Sequence, residues 1–183
     1  MADYDAIVIG TGQAGPALAR RLAGAGWKVA IIERHLFGGT CVNTGCTPTK
    51  TLIASAYAAH IARRAADYGV NVGGAVKVDM KAVKARKDAV VNPSRDGVER
   101  SLRDQKGCTV YQGHAKFIGA KEVRVGDDTL KAGKVFINVG ARALVPPIPG
   151  LDRIPYLTNS SMMDVDFLPP HLILLGGSYV GLE

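Results

Sequence analysis

Tyr4-Asp5-Ala6-Ile7-Val8-Ile9-Gly10-Thr11-Gly12-Gln13-Ala14-Gly15 is the stretch on which the fold turns. Its first half is a short apolar run, which predicts a strand buried on both faces, as in a parallel sheet. Its second half fits G-x-G-x-x-G, and an Ala- and Leu-rich segment from Gly12 to about Ala25 predicts a helix. Lys28 to Glu33 (KVAIIE) reads as a second buried strand. Strand, helix and strand within about 30 residues have the size of a right-handed parallel crossover. Glycine clusters are common in turns, so the hexapeptide gains its weight from this context. The acidic Glu33 also closes the next strand about 20 residues on, the spacing of a dinucleotide-binding unit. Gly10 permits the tight turn, Gly12 lets the backbone approach a pyrophosphate, and Gly15 lets the helix pack against the strand. Together with Gln13 and Ala14 they open a helix whose free N–H groups and dipole suit phosphates. Glu33, followed by Arg34, can accept hydrogen bonds from both hydroxyls of an adenosine ribose; the plainer alternative is a surface carboxylate.

Further along, a Gly-rich loop (Phe37 to Gly45) precedes a helix expected from about Pro48 to Tyr68. A more polar helical stretch runs from about Asp79 to Gln105, and Pro93 should break or kink it. Beyond Gly107 the period approaches two. Thr109–Tyr111, Lys116–Ile118, Glu122–Val125 and Thr129–Lys131 predict an antiparallel meander with a turn at Gly126-Asp127-Asp128. Lys134 to Val139 reads as another buried strand, and Val145 to Gly150 as a proline-rich linker or domain edge. His171 to Leu175 (HLILL) predicts a last strand, running into Gly176-Gly177-Ser178-Tyr179-Val180-Gly181. The opening pattern, a strand followed by a glycine turn, is thereby repeated.

A length of 183 residues allows one ordinary domain and the start of a second. At 47% hydrophobic and 21% charged residues, wholesale disorder is excluded. The 22 glycines exceed the roughly 13 expected at average usage. Three cysteines are too few for a disulfide-built scaffold. No apolar run approaches the roughly 18 residues that suggest a membrane span, and the acidic N-terminus lacks the basic region of a secretory signal. A cytoplasmic protein without a membrane partner is expected. The formal charge of +7 raises the question of nucleic acid. Its densest stretch, Lys77, Lys81, Lys84, Arg86 and Lys87, has no aromatics to stack on bases. It reads as a solvated helix face, and no nucleic-acid partner is expected. An anionic cofactor would equally welcome a positive field.

Cys41-Val42-Asn43-Thr44-Gly45-Cys46 places two thiols just before a helix. Thiols in a reducing compartment that are not inert are catalytic, redox-sensing or metal-bound. Cys46 lies near the helix N-terminus, where the dipole favours a thiolate and hence thiol–disulfide exchange. Two inert buried cysteines are one alternative. A zinc site of Cys41, Cys46, Cys108 and His114 is another, though its first spacing, four intervening residues, is at the wide limit of what zinc sites usually use; no metal is expected. Cys108 alone reads as a small apolar residue.

The segment from Gly38 to Lys50 (GGTCVNTGCTPTK) resembles the redox-active segment of class I pyridine nucleotide–disulfide oxidoreductases, the family of dihydrolipoamide dehydrogenase, glutathione reductase and mercuric reductase. Gly113-His114-Ala115, the strand ending Asn138-Val139-Gly140, the Pro-Ile-Pro-Gly edge and the second glycine turn resemble successive landmarks of that family. Thr44 and Thr47 replace the apolar residues commonest there, and Asn138-Val139-Gly140 departs from the usual Ala-Thr-Gly. The subfamily therefore stays open, with mercuric-reductase-like members nearest in flavour.

The resemblance implies an α/β fold: a Rossmann-like FAD-binding domain, with a parallel sheet, helices and a β-meander, over residues 1–149. The beginning of an NAD(P)-binding domain would follow over 150–183. It implies FAD bound through Gly10, Gly12, Gln13, Ala14, Gly15, Glu33 and Arg34, with Gly39, Thr40, Lys50, His114, Ala115 and Gly140 as further contacts. Cys46 would face the flavin and Cys41 would meet a small-molecule or disulfide substrate. Hydride would pass from NAD(P)H to the flavin, and the electrons would open a Cys41–Cys46 disulfide. Lys50 would sit beside the flavin, paired with Glu183, and Gly176 and Gly181 would belong to the nicotinamide side. Family members are homodimers more than twice this long, so the chain is expected to be an N-terminal portion that does not turn over alone. A non-catalytic flavin- or nucleotide-binding module is the rival reading.

Overall fold

The structure, a computed structural model, describes residues 1–183. In chain order it contains β1 (Ala2–Ile9), α1 (Ala14–Gly24), β2 (Val29–Glu33), α2 (Gly39–Asn43), α3 (Cys46–Arg63) and α4 (Met80–Arg103). There follow β3 (Cys108–Gln112), β4 (Ala115–Gly119), β5 (Glu122–Val125), β6 (Asp128–Ile137) and α5 (Tyr179–Leu182). The chain divides into two compact units, one of residues 1–43 and 92–142, the other of 44–91 and 143–183.

The first unit is built on one six-stranded sheet of order β3-β2-β1-β6-β5-β4. β1 runs parallel to β2 and to β6, and β2 runs parallel to β3, while β4, β5 and β6 pair antiparallel. Two sequence expectations are corrected here. The 109–111 strand belongs to no meander; it extends the parallel sheet beside β2, with Ile31 opposite Val110. The stretches 129–131 and 134–139 are not two strands but the single β6, whose beginning serves as the partner of β5 and whose residues 130–137 lie along β1. Gly133 lies mid-strand, where a Cβ would come within 3.4 Å of the Asp5 carbonyl oxygen.

β2 and residues 6–8 of β1 are buried on both faces, as their apolar runs require, while Asp3 and Asp5 at the start of β1 are exposed. Val8, Val29 and Ile31 pack with Ala19 and Ala23 of α1, Phe37 and Leu102 of α4; Trp27 joins this cluster, half-buried. Ile7, Ala30 and Ile32 pack with Val123, Val125 and Leu130. β2 and β5 thus share a core although two strands separate them in the sheet, so the meander curls over one face. Each such Ile or Val contributes about 1.5–3 kcal/mol by leaving water. The buried strand read at 134–139 is buried less than its apolar run suggests: Val135 and Phe136 are half-buried and Ile137 is exposed.

In the second unit, α3 carries Pro48 in its first turn, where a missing N–H orphans nothing. The helix ends at Arg63, short of Tyr68, and a 3-10 turn covers Ala65–Tyr68. α4 continues from this unit into the first and runs unbroken through Pro93, with Val91 buried before it and Leu102 buried in the first unit's core after it. Its basic stretch is not the solvated face its composition suggests. Lys87 is buried, Lys84 and Lys87 both pair with Asp88 (2.8 and 2.5 Å), and Arg86 donates to the Thr51 carbonyl (2.9 Å). The strand expected at His171–Leu175 is absent. Leu172, Ile173, Leu174 and Leu175 are all exposed and pair with no other strand, because nothing in this unit offers an edge to them.

Candidate cofactor and redox site

β1, β2, β3 and β6 are mutually parallel, so their carboxyl ends meet along one edge of the sheet. β1 is followed in sequence by β2 on one side and flanked by β6 on the other, which makes the β1–β6 crevice the point where the strand order reverses. Ligands of open α/β sheets bind in such crevices. Four of the segments read from the sequence converge on this edge: the turn from Gly10, the end of β2 at Glu33, Gly113-His114 beyond β3, and Asn138-Val139-Gly140 beyond β6. The amide of Gly113 donates to the Glu33 carbonyl (2.8 Å), and the amide of Asn138 to the Ile9 carbonyl (2.8 Å), so the ends are tied to one another.

Within the turn, the three glycines have separate physical reasons. Gly10 has φ +102°, and a Cβ there would lie 2.2 Å from the Asn138 carbonyl oxygen. A Cβ on Gly15 would lie 2.1 Å from the Gly10 carbonyl oxygen. Both are bare for the protein's own packing. Gly12 is different: a Cβ there would meet only Asn138 Nδ2, at 3.5 Å, which is ordinary contact. Its bareness leaves room for something that is not protein, which fits a pyrophosphate. α1 starts at Ala14 with no side-chain cap and no acidic residue in its first turn, and Gln13 and Ala14 are exposed. The Ala14 N–H and the positive end of the helix are therefore open to an anion, whereas the Gly15 N–H donates to the Gly12 carbonyl (2.9 Å) and Pro16 has no N–H. Asn138, which the sequence marks only as a departure from the family pattern, donates from Nδ2 towards the carbonyls of Gly10 and Gly12, each at 3.4 Å.

Glu33 is buried, at 9% exposure, and is not a surface carboxylate. Its Oε2 accepts from Thr11 N (3.0 Å) and Thr11 Oγ1 (2.6 Å), and its Oε1 accepts from the amide of His35 (2.9 Å). Thr11 went unnoticed in the sequence because it fills a variable position of the motif. Arg34 beside it is exposed. Gly39 packs on the turn itself, since a Cβ there would lie 2.6 Å from the Gly12 Cα. Thr40 and His114 are exposed, Ala115 opens β4 half-buried, and Gly140 is exposed with φ +66°.

The sequence loop 37–45 contains a short helix, α2, in which Cys41 is half-buried. Asn43 holds that segment by donating to the carbonyls of Phe37 (2.8 Å) and Gly39 (2.9 Å). In the second unit Cys46 is exposed and is the first residue of the 18-residue α3. Cys108 is half-buried at the start of β3, and burial pushes its thiol up from the usual range. No group of three or more His, Cys, Asp or Glu is placed to hold a metal ion. One turn into α3, Lys50 pairs with Glu183. Gly176 has φ +108°, and a Cβ on Gly181 would lie 2.5 Å from the Gly176 carbonyl oxygen.

The sequence profile described as pyridine nucleotide-disulphide oxidoreductase matches residues 4–183. The chain is 40% identical over its full length to the probable pyridine nucleotide-disulfide oxidoreductase RclA of Escherichia coli, of which it covers 39%. It is 35% identical to a dihydrolipoyl dehydrogenase of Acholeplasma laidlawii, covering 55% of it, and 35% identical to a mercuric reductase of Bacillus cereus, covering 28%. A solved structure of the E. coli flavoprotein disulfide reductase RclA, as a Cu(II) complex, superposes with a TM-score of 0.82 over the whole chain at 38% identity. The chain spans between 28% and 55% of the length of these relatives.

Proposed function

Because the chain belongs to the pyridine nucleotide-disulphide oxidoreductase family, whose members work with FAD and NAD(P)H, we propose that it contributes the FAD-binding and dithiol part of a flavoprotein disulfide reductase. The observation that carries this reading is the convergence of the Gly10 turn, Glu33 and Asn138 on one crevice, with Gly12 bare towards an open space. Gly12 and the first turn of α1 would hold the pyrophosphate, and Glu33 the adenosine ribose. FAD supplies, when bound, the two-electron carrier between a nicotinamide and the protein's sulfur atoms.

The residues of the chain then have the following work. Reduced Cys41 attacks one sulfur of a disulfide substrate, forming a mixed disulfide and releasing one thiol. The Cys46 thiolate attacks the Cys41 sulfur, releases the second thiol and closes the Cys41–Cys46 disulfide. Lys50 places a cation one turn beyond Cys46, held by Glu183. The full protein would be a cytoplasmic homodimer. Its FAD-binding domain would be that of residues 1–149, and residues 150–183, with Gly176 and Gly181, would begin the nicotinamide domain. A metal ion is a second class of acceptor, favoured by the mercuric reductases among the relatives and by the Cu(II) complex of another.

An absorption spectrum of the purified chain, desalted after incubation with FAD, tests the reading. Retained flavin bands are expected, and their absence overturns it. A long-wavelength charge-transfer band on two-electron reduction, lost in Cys46→Ser and kept in Cys41→Ser, is expected for the assigned thiol roles. Flavin bands without any such band would leave the non-catalytic module as the function.

A further inference from the structure

Thr11 is fully buried, and it spends its polar atoms on a single neighbourhood. Its N and Oγ1 both donate to Glu33 Oε2, at 3.0 and 2.6 Å, and its Oγ1 accepts from the amide of Gly38 at 3.2 Å. The other carboxylate oxygen, Oε1, already accepts from the amide of His35 at 2.9 Å. A carboxylate has about four acceptor positions. Three protein donors leave about one, and it lies on Oε1. Two bonds from one turn residue and a third from the opposite side also fix the plane of the carboxylate, so it cannot rotate to present Oε2.

We infer that Thr11 is a positioning residue that clamps Glu33, so that the carboxylate accepts from one hydroxyl of an adenine-nucleotide ribose rather than from both. This rests on the turn being a dinucleotide site. It departs from the two-hydroxyl recognition that the sequence suggests. The hydroxyl of Thr11 matters more than its bulk, because Oγ1 is both a donor to Glu33 and the acceptor for Gly38. Valine keeps the shape of threonine and removes both functions. Serine keeps both and loses a methyl group.

Calorimetric titration of the 183-residue chain with ADP, 2′-deoxy-ADP and 3′-deoxy-ADP tests the inference. For the native chain, one deoxy analogue should bind about tenfold or more weaker than ADP, the loss of a hydrogen bond to a charged group. The other should bind within about twofold of ADP. In Thr11→Val the contrast between the analogues should shrink to less than about threefold, since Oε2 loses the Oγ1 donor, keeps only the backbone N–H and gains a free acceptor position for the second hydroxyl. Thr11→Ser should restore it. Equal weakening of both analogues with the native chain, or a native-sized contrast in Thr11→Val, would overturn the inference while leaving the site in place. If ADP does not bind the native chain, the reading of the turn itself falls, and the inference with it. Should Thr11→Val fail to fold, as judged by circular dichroism, the native chain and Thr11→Ser still decide between one hydroxyl and two.

Discussion

At Gly10 and again at Gly176 the backbone makes the same move. The first glycine has φ +102° in one turn and +108° in the other, and in each the closing glycine is bare because a Cβ would strike the carbonyl oxygen of the first. Their surroundings differ completely. The Gly10 turn joins a strand hydrogen-bonded on both sides to an 11-residue helix packed in the core. The Gly176 turn follows an exposed apolar run and leads into a four-residue helix, too short to sustain itself by its own hydrogen bonds. The local six residues therefore specify the turn, whereas the strand and helix on either side need partners that only the first unit supplies.

Substitutions at the closing glycines should show the largest contrast. Gly15→Ala forces a Cβ to 2.1 Å from a buried carbonyl and 2.9 Å from Asn138 Nδ2. It should cost the first unit about 3 kcal/mol in urea unfolding. Gly181→Ala should leave that transition unchanged, because the exposed α5 can shift. An equal cost at both positions would mean that the second turn is as firmly framed as the first. Next in size, Asn138→Ala removes the side-chain bonds to Gly10 and Gly12 and should cost about 1 kcal/mol by the same measurement. A smaller effect is expected from charge in the exposed run. Ile173→Lys, in an exposed run that pairs with no strand, should change stability in urea unfolding by less than about 0.5 kcal/mol.

The smallest effect concerns pH and the second unit alone. The hydrogen bonds and charges of Lys84 and Lys87 hold the Asp88 carboxyl below its usual range, and Asp88 in turn raises Lys84. A carboxylate with a depressed folded-state value contributes stability that is present above its unfolded value, near pH 4, and fades as pH falls through the folded one. Asp88→Asn should thus destabilise the second unit slightly at pH 7 and not at all well below pH 4. Hydrogen exchange of the α4 amides at the two pH values reads the difference.

Much of the first unit was legible in the sequence. β1, β2 and the turn between β1 and α1 follow from apolar runs and glycine spacing, which are local properties. The partner of β3 was not, because five residues of mixed period look alike beside a parallel or an antiparallel neighbour. The small residues Ala132 and Gly133 interrupt the apolar pattern of β6 and so suggest two strands, whereas in the sheet the strand runs on through them beside β1. The commitments of Lys84, Arg86 and Lys87 could not be seen either, since composition does not show which carboxylate or carbonyl a lysine or arginine will face. In the site, the glycines and Glu33 announced themselves by motif. Thr11 and Asn138 did not, for their importance lies in bonds to residues 22 and 126–128 positions away.

The chain has a single tryptophan, and it belongs to the first unit's core. Its emission is consequently an optical gauge of one unit only. Melting of α3 and the C-terminal segment could run to completion without a change in colour or intensity from Trp27, so a fluorescence trace and a helix-sensitive circular dichroism trace that separate on heating would time the two halves against each other within one sample, with no label added.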